Sequence, residues 1–133
     1  AVYREAAENE LQRLDSVMGS KQSLQSLWEI YCNATQTALA MEFMALANHR
    51  KLIRKEIAVV LERTRQRRVE KLSMLIDTGR VETSGLSASG LAVLMIGVAR
   101  TLVMEANLGI TSGHAEASAS VQWLLAQVQN PVA

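Results

Sequence analysis

The sequence predicts an all-α fold, an antiparallel bundle of about five to six helices whose last two helices form a four-helix dimer interface. Three observations lead there. Apolar residues recur at three- and four-residue spacing along most of the 133 residues. The one proline, Pro131, sits close to the C-terminus, and chains so poor in proline are seldom all-β. The third observation is the uncharged run 91–99, set within a longer helical stretch, 89–108, whose apolar residues lie on every side. A surface helix keeps one polar face, so a helix that is apolar all round needs cover on both sides. One cover is this chain's own core. The other is most simply a symmetry mate, because closed homodimers are the commonest soluble oligomers.

The elements follow in order. Over residues 3–18, Tyr3, Ala7, Leu11, Leu14 and Met18 fall on one helical face, and Gly19 is a natural C-terminal stop. Leu24, Trp28, Tyr31 and Thr35 then repeat at three or four residues, and 37–47 is apolar except for Glu42. The cluster Asn33, Thr35, Gln36 and Thr37 marks a kink or break inside this second element. From 50 to about 78, Ile53, Ile57, Val60, Leu61, Thr64, Leu72 and Leu75 occupy a stripe about 120° wide, the mark of a long amphipathic helix. Arg68 and Lys71 fall inside that stripe, which predicts that the last turns approach a wetter part of the fold. Gly79, Gly85 and neighbouring serines make a loop, with Ser87 as the N-cap of the apolar helix. After the turn 111–113 a final helix, 115–128, sets Ala117, Val121, Leu124, Leu125 and Val128 on one side and Trp123 on the other.

Length predicts a single domain, 1–133. The lone cysteine, Cys32, forms no internal disulfide, and the N-terminus does not read as a signal peptide, which together predict a cytoplasmic protein. The longest uncharged window, 83–99, is 17 residues with several glycines and serines, short of a membrane span, so no membrane is expected as a partner. Net charge is +1 but uneven: residues 50–71 hold nine basic residues against Glu56, Glu62 and Glu70. Such a stripe can be a footprint for nucleic acid. Without interleaved aromatics, it reads better as the solvated face of an amphipathic helix.

The stretches 40–65 (AMEFMALANHRKLIRKEIAVVLERTR), 86–109 (LSASGLAVLMIGVARTLVMEANLG) and 120–127 (SVQWLLAQ), in this order, resemble the C-terminal regulatory domain of TetR-type transcriptional repressors. The resemblance covers nearly the whole chain and rests on pattern rather than on a signature motif. It implies a ligand-binding and dimerisation domain in which residues 1–18 correspond to the linker helix that follows a DNA-binding unit. The helix-turn-helix that begins family members has no counterpart here, so DNA is expected as a partner only through that missing N-terminal unit. The implied mechanism is a dimer equilibrium biased by a small lipophilic effector, which requires different affinities for the two states.

Residues of mixed character are expected to line the effector site, between the second, third and fourth elements. Trp28, Tyr31, Cys32 and Thr35 on one face combine apolar bulk with hydroxyls and a thiol. Met41, Met44, Met74, Met95 and Met104 fall on the proposed walls, where flexible thioethers suit an adaptable pocket, although a methionine on a helix is more often plain core filling. Glu42 and Arg100 are isolated charges in apolar stretches. They are expected to pair with each other or meet a polar group of the ligand, unless Arg100 snorkels outward and Glu42 marks a solvated edge. Leu91, Leu94, Val98 and Leu102, with Ala119, Trp123 and Ala126, are the expected dimer contacts, Trp123 being a typical interface anchor.

An enzyme is not expected. His49 and His114 lack metal-ligand spacing, no phosphate loop is present, and no cofactor is implied. The rival reading is a helical, dimeric protein–protein interaction module without a ligand.

Overall fold

The computed structural model describes residues 4–5, 8–9, 12, 23–79, 81–83 and 85–129; the side chains of 23 and 34–36 are outside that set. Five α-helices stand among the described residues: α1 (Ser23–Tyr31), α2 (Ala34–Ala47), α3 (Lys51–Asp77), α4 (Ala88–Asn107) and α5 (His114–Val128). Arg4, Glu5, Glu8, Asn9 and Gln12 are helical too. The stripe expected at Tyr3, Ala7, Leu11, Leu14 and Met18 lies outside the described residues. The fold is all-α, as composition and periodicity predict.

The expected break in the second element falls at residues 32–33, where α1 stops and α2 begins on a new axis. Thr37 holds the two together, its buried hydroxyl donating to the Tyr31 carbonyl at 2.8 Å. Such a bond satisfies one of the carbonyls that every helix end leaves without a partner. At the other end of α2, Arg54 donates through Nε to the Ala47 carbonyl (3.1 Å) and through Nη2 to that of Asn48 (3.2 Å). A cation there also meets the negative end of the helix dipole.

In the long helix α3 the buried residues are Ile57, Thr64, Arg68, Leu72 and Leu75, in line with the predicted stripe. Arg68 needs a different explanation from the wetter surroundings expected for it. It is 7% exposed, with its guanidinium carbon 4.9 Å from the centroid of the Tyr31 ring, so the apolar stripe accommodates a cation over an aromatic face. Lys71 is half-buried beside it in sequence. Most of the other basic residues of α3 are exposed, and Arg63 pairs on the surface with Glu8.

Helix α4 occupies the centre. It packs on α1, α2 and α3, while α2 also packs on α3 and α5 docks on α1. Leu91, Ala92, Met95, Ile96, Ala99 and Val103 face inward, and Ala92 and Ala99 are wholly buried, so small side chains let neighbouring helices approach closely. They join Leu24, Leu27, Trp28, Tyr31, Leu72, Leu75 and Leu125 in one core. Ser87 caps α4 as predicted, its hydroxyl accepting from the Gly90 N–H at 3.0 Å. The helix ends in a Schellman turn in which Ile110 N–H reaches the Glu105 carbonyl at 2.8 Å, with Gly109 at φ +79, a conformation that favours glycine.

The ends of the bundle are clasped at Gln129. Its side-chain oxygen accepts from the Leu24 N–H at 3.0 Å, Val81 pairs with it in an isolated antiparallel bridge, and Glu82 N–H donates to the Val128 carbonyl at 2.8 Å. One residue thus ties the start of α1 to the end of α5 and to the α3–α4 loop, closing contacts 105 positions apart. Ser87→Ala and Gln129→Ala should each lower stability by about 1 kcal/mol, since each leaves a helix N-terminal N–H without its acceptor. Urea unfolding followed by circular dichroism reads this, and a double variant should lose roughly the sum, because separate sites add.

Candidate functional site

Two features of the surface stand out. The first is the outward side of α4 and α5. On α4, Val93 (48% exposed), Leu94 (57%), Gly97, Thr101 and Met104 (44%) project away from the core, with Leu108 just beyond the helix and the half-buried Arg100 along one edge of this face. On α5, Trp123 is 62% exposed, flanked along the helix by Ala119 and Ala126. Exposed apolar area of this extent on adjoining elements is the usual sign of an interaction surface. α4 is also long and apolar enough to cross a membrane, which the 17-residue window did not indicate, a property that packed core helices share.

The second feature is a groove of about 400 Å³, open to solvent, where the ends of three helices meet. The end of α1 contributes Cys32, and α4 contributes Leu102, Val103, Ala106 and Asn107. His114, Ala115 and Ser118 come from the first turns of α5. The position of His114 is set from α4: its Nε2 lies 3.1 Å from Glu105 Oε1, a pair that joins the last turn of one helix to the first residue of the next. Burial pushes the Cys32 thiol up to about 11, so it stays protonated at neutral pH and contributes a small, weakly polar wall rather than a nucleophile. A second, more polar groove of about 440 Å³ runs between α3 and α4, lined by Glu62, Arg65, Gln66, Val69, Glu70, Ser89 and Val93.

The expected site residues are dispersed. Trp28 and Tyr31 are core residues, 2% and 1% exposed. Thr35 belongs to α2, across the break from them, and its side chain is outside the described residues, so the single helical face expected for these four is not kept. Met95 is 4% exposed in the core, Met41 and Met44 are half-buried on α2, and Met74 and Met104 face solvent at 55% and 44%. These methionines do not converge on either groove. Glu42 is exposed, which removes the reason to give it a buried partner, whereas Arg100 is half-buried on α4.

Among the expected dimer contacts, Leu94, Ala119, Trp123 and Ala126 are exposed, but Leu91 is 7% exposed and Val98 and Leu102 are half-buried against the core. The outward line of α4 runs instead through Val93, Gly97, Thr101 and Met104. Leu124, expected on the core side of α5, is 55% exposed. Of the groove residues only Cys32 and Leu102 carried an expected role, Leu102 a different one. The rest are small or polar positions near helix ends, and the nearest sequence signal was a histidine directly after a glycine turn. No family model, curated protein or solved structure matches the chain.

The raised thiol makes a direct prediction. Alkylation of folded Cys32 by iodoacetamide should be slow at neutral pH and keep accelerating past pH 9 towards a midpoint of about 11, because only the thiolate reacts. In urea the midpoint should return to about 9.0, the value for an unburied thiol.

Proposed function

We propose that the chain is the dimerising, effector-sensing regulatory domain of a TetR-type transcriptional repressor, acting on DNA only through an N-terminal helix-turn-helix unit that this sequence does not include. The observation that carries the proposal is the set of exposed apolar residues on α4, Val93, Leu94 and Met104, together with the exposed Trp123 of the next helix, α5. In the TetR pattern these are the two helices that pair across the dimer, and here both carry exposed apolar residues, as α3 also does at Leu52, Val59 and Met74. Exposed aromatic and aliphatic groups on two adjoining helices suit a self-complementary, isologous contact. A small lipophilic effector would then bias the arrangement of the pair, and the intact protein would feel this through the linker helix at its N-terminus.

One observation favours the second reading, a helical interaction module that dimerises without a ligand: both described grooves are open to solvent rather than enclosed. The two readings share the dimer and part at the effector.

Sedimentation or light scattering should give twice the 14.6 kDa of one chain. Leu94→Glu and Trp123→Glu should each weaken association by about 2 kcal/mol or more, the scale of a central interface residue. A monomeric wild-type chain at tens of micromolar would sink both readings. A thermal-shift screen with lipophilic small molecules separates them, since binding to the folded state alone raises the melting temperature with concentration. A well-folded dimer that responds to no compound is the module.

A further inference from the structure

The groove at the meeting of α1, α4 and α5 points to more than a dimer. We infer that it is the effector seat, built for a compact neutral amphiphile: a molecule of one or two rings or a short chain bearing a single hydroxyl, carbonyl or amine. This inference rests on the regulatory-domain reading and names the site and the ligand class within it.

Three observations carry it. The first is size and make-up. At about 400 Å³, with Leu102, Val103, Ala106 and Ala115 for walls and Asn107 and Ser118 as polar points, the groove has the apolar body and few hydrogen-bonding groups typical of small-molecule sites. The second is charge. Among the described residues, no lysine, arginine, aspartate or glutamate lines it, and the ionisable ring at its edge, His114, is engaged by Glu105 at 3.1 Å. A charged ligand entering there would shed water without gaining a countercharge, which is costly. A neutral one would lose little and could bond to the Asn107 amide or the Ser118 hydroxyl.

The third is position. The groove spans the turn that joins the two helices with outward apolar faces, a turn built on Gly109 and Gly113, both left-handed at φ +79 and +78. A ligand touching α4 and α5 at once therefore bears on the angle between them, the geometry on which a shared dimer surface depends. Of the effector-site residues expected from sequence, Cys32 lines this groove.

The chain offers its own reporter, since Cys32 is its one cysteine and lines the groove. The probe is N-phenylnaphthylamine, a neutral two-ring amine, set against anilinonaphthalene sulfonate, the same skeleton with a fixed negative charge. The neutral probe should bind the full 133-residue chain with a rise in fluorescence and slow maleimide labelling of Cys32 by about tenfold. The sulfonate should bind at least about tenfold more weakly, for want of a countercharge. Ala115→Trp and Ala106→Trp, both at exposed positions, should each fill the groove and abolish protection while leaving thermal unfolding unchanged.

If the neutral probe binds but Cys32 labels at its free rate and neither tryptophan variant weakens binding, the seat is elsewhere. The inference then falls while the regulatory reading stands. If the sulfonate binds and protects as well as the neutral probe, the assigned ligand class is wrong. If no neutral lipophile binds the folded dimer at all, inference and effector reading fall together.

Discussion

Everything in this fold is arranged around covering α4. Twenty residues long and largely apolar, it cannot stand at the surface of a small bundle with solvent along its length. Helices α1, α2 and α3 close over one side, and the wholly buried Ala92 and Ala99 allow them to come near. Covering that side leaves the other open, with Val93, Leu94 and Met104 outward and no charge among them. The same property that builds the core therefore creates the demand for a partner surface.

Among the described residues, the four buried polar ones, Thr37, Thr64, Arg68 and Thr83, are each given local company. Arg68 sits over the Tyr31 ring, Thr37 reaches the end of α1, Thr64 donates to the Val60 carbonyl at 2.9 Å, and the buried Thr83 donates to that of Leu86 at 2.7 Å. A buried polar group without a partner costs more than a made bond returns, so these contacts set where helices begin, stop and cross. Gln129 extends the logic to the ends of the chain's path. It ties α1, α5 and the α3–α4 loop at one point, so a shift of α5 is felt at the start of α1.

That arrangement gives the proposed regulatory role a physical route. The groove lies at one end of α5 and the Gln129 clasp at the other, with Trp123 between them. In the proposed reading, an effector seated at the turn and a partner chain on the outward face would both bear on α5, which docks on α1 and is tied to α4 by the His114–Glu105 pair. Coupling of this kind needs an element with more than one arrangement, and α5 is the element placed to supply it.

The order and kind of the described helices were legible in the sequence, because a 3.6-residue period, a serine cap and glycine stops are local signals. So were the inward face of α3 and the break after Tyr31. The rotation of α4 was not. A helix with a polar face declares which side is out, whereas α4 is apolar all round, so the line through Leu91, Val98 and Leu102 read as outward when the core in fact claims Leu91 and half-buries the others. The methionines failed as guides for a related reason: their spacing matches a helix but says nothing of which helices meet. The groove was the least legible part, since it joins Cys32 to residues at least seventy positions further on. Local periodicity determined which residues share a helix face; only the packing of helix on helix decided which faces are buried, which are open, and where their ends converge.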